Sequence, residues 1–218
     1  MALLFTGLGI WQIERRSWKL ALIAAVDARV HAAPIPAPGP ADWPHVTAEN
    51  DAYRHVRAVG VFLDDHETLV QAVTELGGGF WVLTPLRSDA GFTVLVNRGF
   101  VPLDRADPAT RPGSQPMGHV AVTGLLRVTE PGGAFLRSND PASNQWFSRD
   151  VAAIVKAMGL ENVAPYFIDA DANPDTNLLP VGGLTVISFW NNHLVYSITW
   201  FSLALLSLAW FVVLFRPE

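Results

Sequence analysis

Hydrophobic and polar positions divide the chain into two apolar ends and an alternating middle. Leu184 to Phe215 holds no Asp, Glu, Lys or Arg. Leu194 to Phe215, after His193, is 22 residues, enough as a helix to cross a hydrocarbon layer of roughly 30 Å. Trp190, Tyr196 and Trp200 lie toward one end of this run, and Trp210 followed by Arg216 toward the other. Aromatic belts with a terminal cation fit a spanning helix, and core helices seldom run this long without a charge. A transmembrane helix is therefore predicted over 189–215. At the other end, Met1 to Ile13 is apolar apart from Thr6 and Gln12, and Glu14-Arg15-Arg16 follows. Thirteen residues make only ~20 Å of helix, too short to span. No basic leader or cleavage site marks a secretory signal. The expectation is a partial first transmembrane segment over 1–13 whose opening residues lie upstream of Met1. A short interfacial segment is the alternative.

The middle changes period. Residues 14–33 read as a helix leaving the membrane, rich in Leu, Ala, Lys and Arg and ending before Pro34. Pro34, Pro36, Pro38, Pro40 and Pro44 make 34–44 an extended linker. Residues 45–188 form the soluble domain. Tyr53 to Phe62 and His119 to Val128 alternate as strands; Thr68 to Val73, Phe80 to Leu86, Phe92 to Phe100, Tyr166 to Asp169 and Leu184 to Ser188 are further strands. Gly77 to Gly79 and Glu130 to Gly133 read as turns, and Asp104 to Gly118 as a loop. Arg149 to Met158 is the one internal helix, with Ser148 as N-cap, Asp150 in the first turn and Gly159 as its stop. The fold class is thus a membrane protein of α+β type. An antiparallel β-sheet or small barrel with one internal helix is flanked by N- and C-terminal transmembrane helices, the first of them incomplete.

Composition sharpens this picture. The 218 residues carry a net charge of −5, and without the terminal charges the middle holds 11 basic and 18 acidic residues. An acidic surface does not displace the counterions of nucleic acid, so no nucleic-acid partner is expected. The absence of cysteine removes disulfides, iron–sulfur ligation and a thiol nucleophile. If both ends span, Trp11 to Lys19 and Asn191-Asn192-His193 meet at one interfacial level. The basic residues leave orientation open, because Arg216 opposes Arg15, Arg16 and Lys19 under the positive-inside rule.

Most candidate chemistry dissolves on inspection. Gly7-Leu-Gly9 lacks the third glycine and the preceding strand of a dinucleotide fingerprint. Ser114, Ser138 and Ser148 have no nucleophile-elbow frame. Asp64-Asp65-His66-Glu67 has no second histidine at ligand spacing and reads as a solvated turn. Arg98 and Arg149-Asp150 read as structural ion pairs. His193 stands apart as the one basic ionisable group inside the apolar run. Polar groups at membrane depth are costly and often functional. On a helix it shares a face with Tyr196, Ser197 and Trp200. A neutral imidazole can ligate haem iron, flat aromatic walls suit a porphyrin, and Arg15, Arg16, Asn191 and Asn192 could meet its propionates. A histidine wetted by lipid headgroups is the plain alternative.

An ordered set of motifs resembles the SURF1-like cytochrome c oxidase assembly protein family. It opens with Gly9-Ile-Trp-Gln-Ile-Glu-Arg-Arg-Ser-Trp-Lys19. Tyr53 to Phe62, Phe80-Trp-Val-Leu-Thr-Pro-Leu86, Leu95-Val-Asn-Arg-Gly-Phe-Val-Pro102 and Gly124-Leu-Leu-Arg127 follow. Phe135-Leu-Arg-Ser-Asn-Asp-Pro141, Trp146-Phe-Ser-Arg-Asp150, Gly182-Gly183, Asn192-His-Leu-Val-Tyr196 and Thr199-Trp200 complete it. The resemblance implies two transmembrane helices with both termini in the cytoplasm or mitochondrial matrix and the domain in the periplasm or intermembrane space; with no transit peptide visible, a bacterial inner membrane is the expectation. It implies a non-enzymatic assembly factor that receives haem a from haem a synthase and serves the catalytic subunit of cytochrome c oxidase. His193 is then the expected axial ligand, with Tyr196, Trp200, Asn192, Arg15, Arg16 and Trp11 around the haem. A membrane-tethered scaffold that never touches haem is the rival.

Overall fold

The computed structural model describes residues 1–134, 136–175 and 178–215. Phe135 of the Phe135–Pro141 motif and the predicted terminal cation Arg216 lie outside the described residues. The chain forms two units. One is Arg29–Val186; the other joins Met1–Ala28 to Ile187–Glu218.

In the first unit, β2 (His55–Phe62) buries Val56, Ala58, Gly60 and Phe62 and leaves the alternate positions outside. This is the period-two pattern of a half-buried strand. β3 (Thr68–Thr74), β4 (Gly77–Ser88), β5 (Thr93–Pro102), β6 (Val120–Val128) and β7 (Val163–Ala170) follow. The order β2-β6-β7-β5-β4 closes on itself, because Gly60, Val61 and Phe62 of β2 also pair with Ser88, Arg87 and Leu86 of β4. The result is a five-stranded barrel, with β3 added outside β4. Four junctions are antiparallel and one, β5 with β7, is parallel. Strand direction cannot alternate all the way round a closed ring of odd number, so a purely antiparallel barrel is geometrically barred. The parallel junction is the correction to the antiparallel expectation.

β5 explains its own unbroken run of buried residues. Val94 and Val96 point into a cluster with Phe62, Leu86, Tyr166 and Ile168. Leu95 points the other way, onto Val70, Leu83, Trp146, Ile154 and Phe167. The second cluster is covered by α3 (Val151–Met158), which buries Val151 and Ile154. α3 is capped by Asp150, whose carboxylate accepts from the Ala153 amide, and Gly159 ends it in the left-handed conformation. Ser148, the expected cap, instead accepts from Gly133 N–H and Asn139 Nδ2.

Three further expectations are corrected. The proline stretch is not a free linker. β1 (Ile35–Pro36) runs parallel to Val56–Arg57, Ala37 N–H donates to Arg57 O, and Pro38 O accepts from both Tyr166 Oη and Trp43 Nε1. Proline lacks an N–H and alternates poorly with polar residues, which hid a strap held through its carbonyls. A second internal helix, α2 (Ala48–Asp51), is a single turn in which Thr47 Oγ1 accepts from the Asn50 N–H and the Asp51 carboxylate accepts from the Thr47 N–H. Leu184 to Ser188 is not a strand; Thr185 Oγ1 donates to Asp169 in β7 instead.

In the second unit, α1 (Ala2–Val30) is one unbroken helix of 29 residues. It runs without a break through the predicted 13/14 boundary. α4 (His193–Leu214) starts at the histidine, four residues later than 189. Among the described residues, α4 alone is both long and apolar enough to cross a membrane.

Candidate functional site: a histidine at the head of an apolar helix

α1 and α4 pair antiparallel. Phe5 stacks on Trp200 with ring centres 5.8 Å apart, and further along α1 Gln12 meets His193. Between these contacts Gly9 makes the close approach possible, since a Cβ there would lie 2.7 Å from the Phe201 ring. The hydroxyl of Ser197 donates to the Gly9 carbonyl at 3.2 Å. The buried residues on α4 are Ser197 and Ala204. Small residues that let backbones approach, with a hydroxyl between helices, are the usual solution for helices in lipid.

His193 is half-buried. Its Nδ1 lies 2.7 Å from Oε1 of Gln12. An amide oxygen only accepts, so the tautomer that completes this bond is the one protonated at Nδ1. Nε2 has no hydrogen-bond partner among the described residues and is open to a metal. Two positions away, the Asn191 side-chain oxygen is buried with no partner. One imidazole nitrogen without a partner fits an imidazole-ligated cofactor.

The other expected residues separate. Tyr196 is 54% exposed and free to serve as a wall. Trp200 and Ser197 are committed to the helix pair, Trp200 through its stack on Phe5. Arg15 lies over the Trp18 ring at 4.6 Å, and Arg16 falls one helical turn beyond Gln12 on the same face. No hydrogen bond joins Arg15, Arg16, Trp11 or Asn192 to His193 among the described residues. Gln12 was missed. Its signal was a lone amide in an otherwise apolar helix start, level with the histidine under the two-span reading.

The barrel carries a second polar cluster. Asp169 accepts from Asn97 Nδ2 at 2.8 Å, Arg127 Nη1 at 2.8 Å, Arg149 Nη1 at 3.0 Å and Thr185 Oγ1 at 3.0 Å. Glu130 receives Arg127 Nη2 and both Arg149 Nε and Nη2. Burial works against the Arg149 charge, but Asp169 and Glu130 outweigh it and hold the guanidinium above its ordinary value. Two cations and two carboxylates close on each other, so Arg149 is a structural ion pair, as its sequence reading had it. Arg98 donates to the Ser114 carbonyl and reaches Asp64 at 3.5 Å; burial pushes it below its ordinary value. The Asp64–Glu67 turn is not wholly solvated, since Glu67 is buried in a pair with Arg111. No group of three metal-ligating side chains occurs among the described residues.

A closed β-barrel inserted between two helices, one able to cross a bilayer, fits a membrane-anchored β-domain protein. The SURF1 family model matches residues 1–205. Surfeit locus protein 1 of Rattus norvegicus is 40% identical over 222 residues, covering 94% of this chain and 70% of the rat protein. The protein of the same name from Homo sapiens is 39% identical, covering 94% and 72%. A SURF1-like protein of Monosiga brevicollis is 38% identical, covering 96% and 83%. The chain belongs to the SURF1 family, known as cytochrome oxidase assembly factors.

Proposed function

We propose that this chain is an assembly factor for haem-copper (cytochrome c type) oxidase that holds haem a through His193 and assists its insertion into the catalytic subunit. The observation that carries this is the state of His193: Nδ1 tied to Gln12 and Nε2 free, at the first residue of the membrane helix. The haem, when bound, supplies an iron that accepts one imidazole nitrogen. Tyr196 offers an exposed aromatic wall, and Arg15 and Arg16 lie one turn beyond Gln12, where cations can meet carboxylates. One protein ligand suits a cofactor taken from haem a synthase and passed on. The domain sits on the periplasmic side of a bacterial inner membrane, and the protein catalyses no reaction of its own.

The test is a visible spectrum of the detergent-purified protein co-expressed with the haem a synthesis enzymes, beside His193→Ala. A haem signal present in the wild type and lost in the variant is the expected result. A folded wild type without haem overturns the reading. It would leave the rival, a membrane-tethered scaffold that stabilises an oxidase subunit through its acidic domain.

A further inference from the structure

We infer that Gln12 is a positioning residue that sets the tautomer of His193, placing the proton on Nδ1 and presenting a bare Nε2. The inference rests on the reading of His193 as a haem ligand, but the tautomer itself is a property of the protein without haem.

The geometry is specific. Gln12 is 9% exposed, and its Oε1 lies 2.7 Å from His193 Nδ1. The pair is held in register one turn away on each helix. Gly9 precedes Gln12 by three residues and Ser197 follows His193 by four, and these two residues are hydrogen-bonded to each other. That bond sets the level at which the two backbones face each other, one turn from Gln12 and His193. A neutral imidazole has one N–H and one lone pair, and the hydrogen bond at one nitrogen decides which chemistry the other offers. Metal-ligating histidines are commonly fixed this way through the nitrogen that does not bind the metal. An amide turned the other way would donate to Nδ1 and place the proton on Nε2, which would close the site. An apolar residue at 12 would leave Nδ1–H buried without a partner, and the proton would move to whichever nitrogen reaches water.

The acceptor is also a neutral amide rather than a carboxylate. A carboxylate would draw the Nδ1 proton and raise the donor strength of Nε2. An amide orients the ring with less of that gain, which suits a cofactor held only until it is handed on.

The experiment uses the full chain in detergent, labelled with 15N-histidine and free of haem, at about pH 8.5, above the ordinary histidine range. The His193 resonances are assigned by their loss in His193→Ala. The wild type is expected to show a protonated Nδ1 and an unprotonated Nε2. Gln12→Leu preserves volume and should shift the proton toward Nε2; Gln12→Glu restores an acceptor and should return it to Nδ1. In haem titrations, Gln12→Leu should weaken binding by about 10- to 100-fold, with recovery in Gln12→Glu. A wild type protonated at Nε2, or a tautomer unchanged in a Gln12→Leu protein that keeps wild-type helicity, overturns the inference. If the tautomer follows Gln12 but the wild type takes up no haem, the haem reading fails alone. If haem binds through His193 with equal affinity in all three proteins, the role of Gln12 fails alone.

Discussion

Among single residues, Asp169 carries the heaviest polar load in the barrel. Its side chain is 3% exposed and takes donors from Asn97, Arg127, Arg149 and Thr185. Removing one partner of a buried ion pair costs about 3–5 kcal/mol, because the other charge is left uncompensated. Asp169→Ala is therefore expected to destabilise the domain by about that amount, with Glu130 holding the loss toward the lower end. Chemical unfolding of the detergent-solubilised full chain, followed by tryptophan fluorescence, checks this; an unchanged midpoint would refute it. Asp169→Asn keeps the shape and one acceptor and should fall between wild type and alanine. At this scale the sequence was half legible. Arg149 reads as one half of an ion pair at the start of the internal helix, but nothing in its neighbourhood marks Asp169 or Arg127 as its cluster. Their meeting depends on β6 and β7 being neighbours in the ring, a long-range pairing that local pattern does not encode. His193 was legible because a titratable group in an apolar helix is costly wherever it lies. Its partner Gln12 is 181 positions away and became visible only when the helices paired.

At the scale of elements, alternation revealed β2, which buries every second residue, whereas the parallel junction of β5 with β7 ran against the antiparallel expectation and is required only once five strands close into a ring. The strap was hidden by its prolines, and it is pinned by a titratable group. His55 Nδ1 lies 3.0 Å from Ala32 O and Nε2 lies 2.8 Å from Asp171 Oδ2. Both partners are acceptors, so both bonds are complete only in the imidazolium. Burial opposes that charge, yet the hydrogen bonds to Asp171 and Ala32 and the Asp171 charge outweigh it and raise the His55 pKa. For a group raised on folding, the stabilisation is complete below the unfolded value of about 6.5 and fades as pH climbs through the folded value. The strap should therefore loosen on the alkaline side. Amide exchange at Ala37, whose N–H donates to Arg57 O, should lose protection there after correction for intrinsic rate. His55→Gln should show a flat profile. A wild type as flat as the variant would remove His55 from the account.

For the whole molecule, the question is which segments cross the bilayer, and the helix pair bears on it directly. α1 and α4 run antiparallel, so the chain leaves and rejoins the pair at the same end, with the barrel between. Phe5 to Gln12 lie beside Trp200 to His193, so if α4 spans, the opening of α1 lies within the same half of the bilayer. Its first acidic or basic side chain is Glu14, two residues after Gln12 along the chain. The chain contains no cysteine, so single introduced thiols report sidedness without background. Met117, 98% exposed on the barrel, should accept a membrane-impermeant maleimide as Met117→Cys in cells whose outer membrane alone is permeable. A cysteine appended after Glu218 should react only once the inner membrane is opened. Leu3→Cys should stay unreactive under both conditions, because lipid covers it although the protein leaves it 89% exposed. Labelling of Leu3→Cys before the inner membrane is opened would place α1 on the surface and reduce the anchor to one span. Labelling of the appended cysteine together with Met117→Cys would show that α4 does not cross, and His193 would lose the membrane level on which the haem reading depends.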